Sequence, residues 1–105
     1  MTKEGQFRVR RCRRLHMRGG MLVEHAGRRL HAQIENISMG GVCISLEARL
    51  PVGADVALDI PLLDGDPVLV WAEVIYSHPD YTGLRFEWAG LDDPGRLLLH
   101  TALGA

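Results

Sequence analysis

Long apolar runs are missing from this sequence. The longest, residues 68–72, is five residues, against the 18 or more a membrane-spanning helix needs. No apolar stretch of the secretory kind opens the chain, so the expectation is a cytoplasmic protein with no membrane insertion. Cysteine is scarce. Cys12 and Cys43 stand 31 positions apart, and no Cys or His pair has the close spacing of a structural zinc site. This excludes a disulfide scaffold and leaves reduced thiols and no metal as the expectation. Aromatic residues make up only 6% of the chain, too few for the stacking platforms of single-strand-binding barrels. Together with an acidic remainder, that disfavours nucleic acid as the partner. His16, His25, His31, His78 and His100 are dispersed and form no acid–base or metal constellation. The nucleophile elbow Gly-x-Ser-x-Gly is also lacking around Ser38, because position 36 is Asn, and there is no Walker-type phosphate loop. The residues thus point to a non-enzymatic protein without a cofactor.

What is present is enough for one folded unit. The 105 residues are 47% hydrophobic and 24% charged, the composition of an ordinary globular domain. The formal net charge of -1 conceals a steep division. Residues 1–34 hold nine of the twelve Lys and Arg against Glu4 and Glu24, a balance of +7, whereas residues 35–105 carry -8. Lys3 is the only lysine, so the positive end is a set of planar guanidinium forks suited to flat or phosphorylated ligands.

Residues 1–14 hold too few apolar side chains to bury an element and read as an arginine-rich arm. Residues 15–105 read as the folded domain. Six strands are expected, at 15–25, 28–35, 41–47, 56–62, 68–77 and 83–88, from short alternating or apolar segments broken by turn residues. Turn signals at 25–28 and at Asp64-Gly65 make neighbouring strands antiparallel. Val42, Ile44 and Leu46 alternate with Cys43, Ser45 and Glu47, and Val56, Leu58 and Ile60 repeat the period of two. The fifth strand is apolar on both faces, with Val68, Val70, Val74 and Tyr76 on one and Leu69, Trp71 and Ile75 on the other. It is therefore either covered twice or partly a binding face. So many short strands in so short a chain favour a closed barrel over an open sheet. Asp93 as N-cap, Pro94 in the first helical position, and Leu97, Leu98, Leu99, Ala102 and Leu103 beyond predict one short C-terminal helix packed on the barrel or on a partner.

Two patterns remain. Arg10-Arg11-Cys12-Arg13-Arg14 clusters groups that can each grip a phosphate, or the O6 and N7 edge of guanine, with two parallel hydrogen bonds. Asn36-Ile37-Ser38-Met39-Gly40-Gly41, between the second and third strands, sets an amide and a hydroxyl beside glycines that admit close backbone approach. Taken singly, the arginine run is a solvated tail or weak nucleic-acid patch, and Asn36 and Ser38 are turn-satisfying residues. Trp71 reads equally as a base-stacking ring or a packing residue. Arg28 and Arg29 read equally as phosphate contacts or solubilising charge.

In order, the two patterns resemble the PilZ domain family, whose signature is Arg-x-x-x-Arg followed one hairpin later by Asp/Asn-x-Ser-x-x-Gly. Arg10 and Arg14 match the first element, and Asn36, Ser38 and Gly41 the second. A second Arg-x-x-x-Arg, Arg14 to Arg18, overlaps the first but runs into the first expected strand. The resemblance implies a six-stranded antiparallel PilZ-type β-barrel with a C-terminal helix, acting as a bacterial cyclic di-GMP receptor. It would signal to an effector protein in motility, biofilm or pilus control. It also implies that Arg10 and Arg14 clasp guanine and phosphate while Asn36 and Ser38 bond other guanine edges and Gly41 shapes the turn. Arg11, Arg13, Gly40 and Trp71 would be further ligand contacts. The alternative is a pilus or motility adaptor of the same fold that binds no nucleotide and meets acidic protein surface with its arginines.

Overall fold

In the computed structural model, which describes residues 19–61 and 67–103, period-two alternation decides which side of each strand is buried. Val56, Leu58 and Ile60 are fully enclosed, as are Val42 and Ile44. Each such aliphatic side chain contributes roughly 1.5–3 kcal/mol by leaving water. The strands are β1 (Gly20–His25), β2 (Arg28–Ile37), β3 (Gly41–Ser45), β4 (Asp55–Ile60), β5 (Val68–Ser77) and β6 (Thr82–Phe86), followed by α1 (Pro94–Leu103). They close into an antiparallel barrel in the order β1-β2-β3-β6-β5-β4. Closure pairs β3 with β6 and β1 with β4, two partnerships between strands distant in sequence. Among the described residues the architecture is the expected six-stranded barrel with one short C-terminal helix.

Local chemistry sets the boundaries. At the β1–β2 turn both Ala26 (φ 53°) and Gly27 (φ 78°) take the left-handed region, the type I′ geometry that matches strand twist. Among the described residues β1 begins at Gly20. Residues 15–18 lie outside the described residues, and Gly19 continues the ladder only through its carbonyl, which accepts from Ile34 N (2.9 Å). Glycine packs nothing in a strand, and the partner strand becomes irregular just past Ile34. The Asp64-Gly65 turn signal also lies outside the described residues, although β4 and β5 pair antiparallel as it requires.

The helix starts where the sequence places it. Asp93 Oδ1 accepts from Gly95 N (2.8 Å) and Arg96 N (3.3 Å), so two amides at the helix start are satisfied. Leu99 and Leu103, four residues apart, reach the barrel core. Leu97, Leu98 and Ala102, expected to pack as well, are exposed: only one stripe of a short helix can face the barrel. On β5, Leu69 (60% exposed) and Trp71 (55%) face solvent, so this strand is not covered twice. Among the described residues no helix is long and apolar enough to cross a membrane.

Candidate functional site

One bulge creates the candidate site. Ile34 pairs with Ile44, but Asn36 pairs with Cys43 and Ile37 with Val42, so Glu35 is an extra residue in β2. Strict alternation from the buried Ile34 would turn Asn36 inward and Ile37 outward. The bulge reverses both: Ile37 is enclosed in the core and Asn36 stands half-buried on the outer face. Bulges commonly re-aim side chains in this way beside functional sites. Asn36 and Ile37 therefore belong to the end of β2, not to a connecting loop. Among the described residues nothing hydrogen-bonds the Asn36 amide.

Ser38 follows on the same face, 6% exposed. Its N–H donates to Gly41 O (2.9 Å), and its Oγ accepts from Gly40 N (3.2 Å). The turn-satisfying role of Ser38 is thus realised, and the hydroxyl retains its own hydrogen to donate. Neither Gly40 nor Gly41 takes a left-handed φ, so Gly41 does not shape the turn by unusual torsion. Its contribution is an absent side chain in the row of β3 between Ser38 and the outward residue of β6. Trp88 Nε1 donates to Met39 O (3.3 Å), and Phe86 N to Gly40 O (3.0 Å), fastening the turn to the end of β6.

Pairing register extends this face across five strands. One row runs Asn36, Cys43, Gly83, Tyr76, and the next runs Ser38, Gly41, Arg85, Glu73, Asp55. A second bulge, between Val74 and Tyr76, turns Tyr76 outward, against the expectation that it shares the buried face of Val74. Its hydroxyl lies 3.9 Å from Cys43 Sγ, beside Asn36. Tyr76 and Arg85 are thus on this face although sequence reading does not select them. Trp71 occupies the row beyond Arg85, opposite Glu87, whose N–H donates to Trp71 O (2.8 Å). By strand spacing and rise it is roughly 12 Å from Gly41. Arg10, Arg11, Arg13 and Arg14 lie outside the described residues, as does Cys12. Arg29 is engaged by Asp59 at 3.3 Å, on the β1–β4 side.

Carboxylates border the site. Arg85 Nη2 donates to Glu73 Oε1. Burial pushes the Glu87 carboxyl up from its ordinary value, and the neighbouring Asp55 carboxylate adds to the effect. An open groove of about 850 Å³, lined by Arg28, His31, Gln33, Ser45, Glu47 and Asp80 among others, contains no residue of either sequence pattern. It lies where β2 begins, and the Ser38 turn lies beyond the strand's other end. Among the described residues no three His, Cys, Asp or Glu side chains are grouped to hold a metal ion.

No curated protein matches this sequence. Among solved structures, the barrel is similar to the crystal structure of the PilZ domain of CeSA from a cellulose-synthesizing bacterium. The TM-score is 0.70 and the identity 20%, over 88% of this chain and 96% of that one. At that identity the likeness carries the fold alone. The family model of the PilZ domain matches residues 8–103, a span holding the arginine run, the Asn36–Gly41 turn, all six strands and the helix; the chain belongs to the PilZ domain family.

Proposed function

We propose that this chain is a non-enzymatic receptor that binds cyclic di-GMP on the outer face of β2, β3 and β6 and signals to an effector protein. PilZ domains are binding domains that serve generally as cyclic di-GMP receptors, and the two signature elements are present here. In this reading Arg10 and Arg14 grip guanine and phosphate, Asn36 and Ser38 bond guanine edges, and Gly41 leaves room for the ligand. Arg11, Arg13, Gly40 and Trp71 are the outlying contacts.

The observation that carries the reading is where the arginine segment joins the barrel. Gly19 bonds to Ile34, two positions from Asn36. Arg14 is five residues before Gly19, a tether of at most about 18 Å. Asn36 lies about 7 Å along β2 from Ile34. The arginine segment is therefore tethered within reach of the end of β2 that carries Asn36, whose amide has no hydrogen-bond partner among the described residues. Leu69, Trp71, Leu97 and Leu98, exposed on β5 and α1, offer the apolar surface an effector would need.

Calorimetric titration with cyclic di-GMP tests this. The native chain should bind, Arg14→Ala should weaken binding at least about tenfold, and an Arg10→Ala, Arg14→Ala double variant should not bind tightly. Equal affinity of the native and double-variant chains would remove the arginines from the site, and no binding by the native chain would favour the adaptor.

A further inference from the structure

Among the described residues, Arg85 is the cation that the barrel places in the row of the signature turn. It leaves β6 on the outer face in the row of Ser38 and Gly41, and Gly41 between them has no side chain. At about 4.8 Å per strand, the Arg85 backbone is roughly 10 Å from that of Ser38, a gap an arginine side chain spans in large part. Its Nη2 is tied to Glu73 Oε1, yet the side chain is 61% exposed. One corner of the guanidinium is anchored, and the exposed side chain keeps further N–H donors.

We infer that Arg85 is a further ligand-binding residue, its guanidinium reading the O6 and N7 edge of one guanine; this rests on the cyclic di-GMP reading above. The surroundings select a guanine edge over a phosphate. Glu73 bonds Arg85, Asp55 pairs across the strands with Glu73, and Glu87 stands two residues past Arg85, just beyond the end of β6, its carboxyl in hydrogen-bonding reach of Asp55. Three carboxylates around one guanidinium repel an anionic phosphate. A neutral purine edge escapes that repulsion, and its O6 and N7 are both acceptors for the guanidinium fork. The contact needs a planar fork, which lysine lacks.

The test is titration of the full chain with cyclic di-GMP and cyclic di-AMP at two salt concentrations, for the native protein, Arg85→Ala and Arg85→Lys, with Arg14→Ala as reference. Both Arg85 variants should melt like the native chain, weaken cyclic di-GMP binding roughly ten- to hundredfold, narrow the preference over cyclic di-AMP, and keep the native salt dependence. Native binding with Arg85→Ala within about twofold overturns the inference and leaves the receptor reading standing. Weakened binding with a shallower salt dependence and recovery in Arg85→Lys assigns the side chain to a phosphate and also overturns it. If the native chain binds neither nucleotide, while its melting shows it folded, the receptor reading fails and this inference fails with it.

Discussion

The ring of Tyr76 occupies the space a β-carbon at Gly83 would need: a Cβ built there would come within 2.3 Å of Cε2. The two residues are cross-strand partners, and the ring passes over the glycine to bring its hydroxyl to Cys43. Gly83→Ala should therefore destabilise the barrel by about 1–3 kcal/mol, the usual cost of overpacking. Urea denaturation measures it, and an unchanged midpoint would mean that the ring swings aside without loss.

Asn36 and Ser38 should separate binding from stability. The Asn36 amide has no described hydrogen-bond partner and faces outward, so Asn36→Ala should weaken cyclic di-GMP binding and leave thermal unfolding within about 0.5 kcal/mol of native. Ser38→Ala removes the acceptor for Gly40 N and should cost about 0.5–1.5 kcal/mol in stability as well as affinity. Titration and melting of both variants give the comparison.

The cap on α1 should make stability depend on pH in a known direction. The hydrogen bond from Ala89 N, joined by those from Arg96 and Gly95, holds the Asp93 carboxyl below its ordinary range. A lowered folded-state pKa means that the contribution is present above the unfolded pKa and lost as pH falls through the folded one. Asp93→Ala should lower Tm at pH 7, and the difference from native should shrink below pH about 4.

Glu87 acts in the opposite sense. Its carboxyl is raised, by burial first and by Asp55 second, so the folded chain holds that proton more readily than the unfolded one. The penalty is present above the raised pKa and relieved as pH falls through it. Glu87→Gln should stabilise at neutral pH, by no more than about 0.5 kcal/mol, since the side chain is only slightly buried and water screens it. The gain should vanish through the glutamate range, and denaturation at pH 7 and about pH 4 reads both limbs.

Much of this architecture is legible without coordinates because its causes are local. Val56, Leu58 and Ile60 announce their buried face by alternation, and Asp93-Pro94 announces the helix by capping chemistry. What escapes is non-local or breaks the period. Ile34-Glu35-Asn36-Ile37 looks like a strand ending, because a bulge is indistinguishable from lost alternation until the partner strand is seen. The same holds at Val74-Ile75-Tyr76, so sequence reading puts Tyr76 on the buried face and selects Trp71 as the aromatic candidate, although Tyr76 shares a row with Asn36. Arg85 escapes for a different reason. Its place beside Gly41 depends on β3 pairing with β6, some forty residues away in sequence, which only closure of the barrel brings about. The arginine run is plain in the sequence and lies outside the described residues.

The extra residue at position 35 makes one step of β2 dispensable and its neighbours not. Side chains along β2 follow a two-beat count, and Glu35 delays it by one beat just before Asn36. Removing Glu35 alone would leave Ile34, Asn36 and Ile37 in plain alternation, with Asn36 still outward and Ile37 still inward, whereas removing Gln33 would turn Ile34 from the core into water. A codon lost from the 46–54 connection would leave the count in β2 untouched.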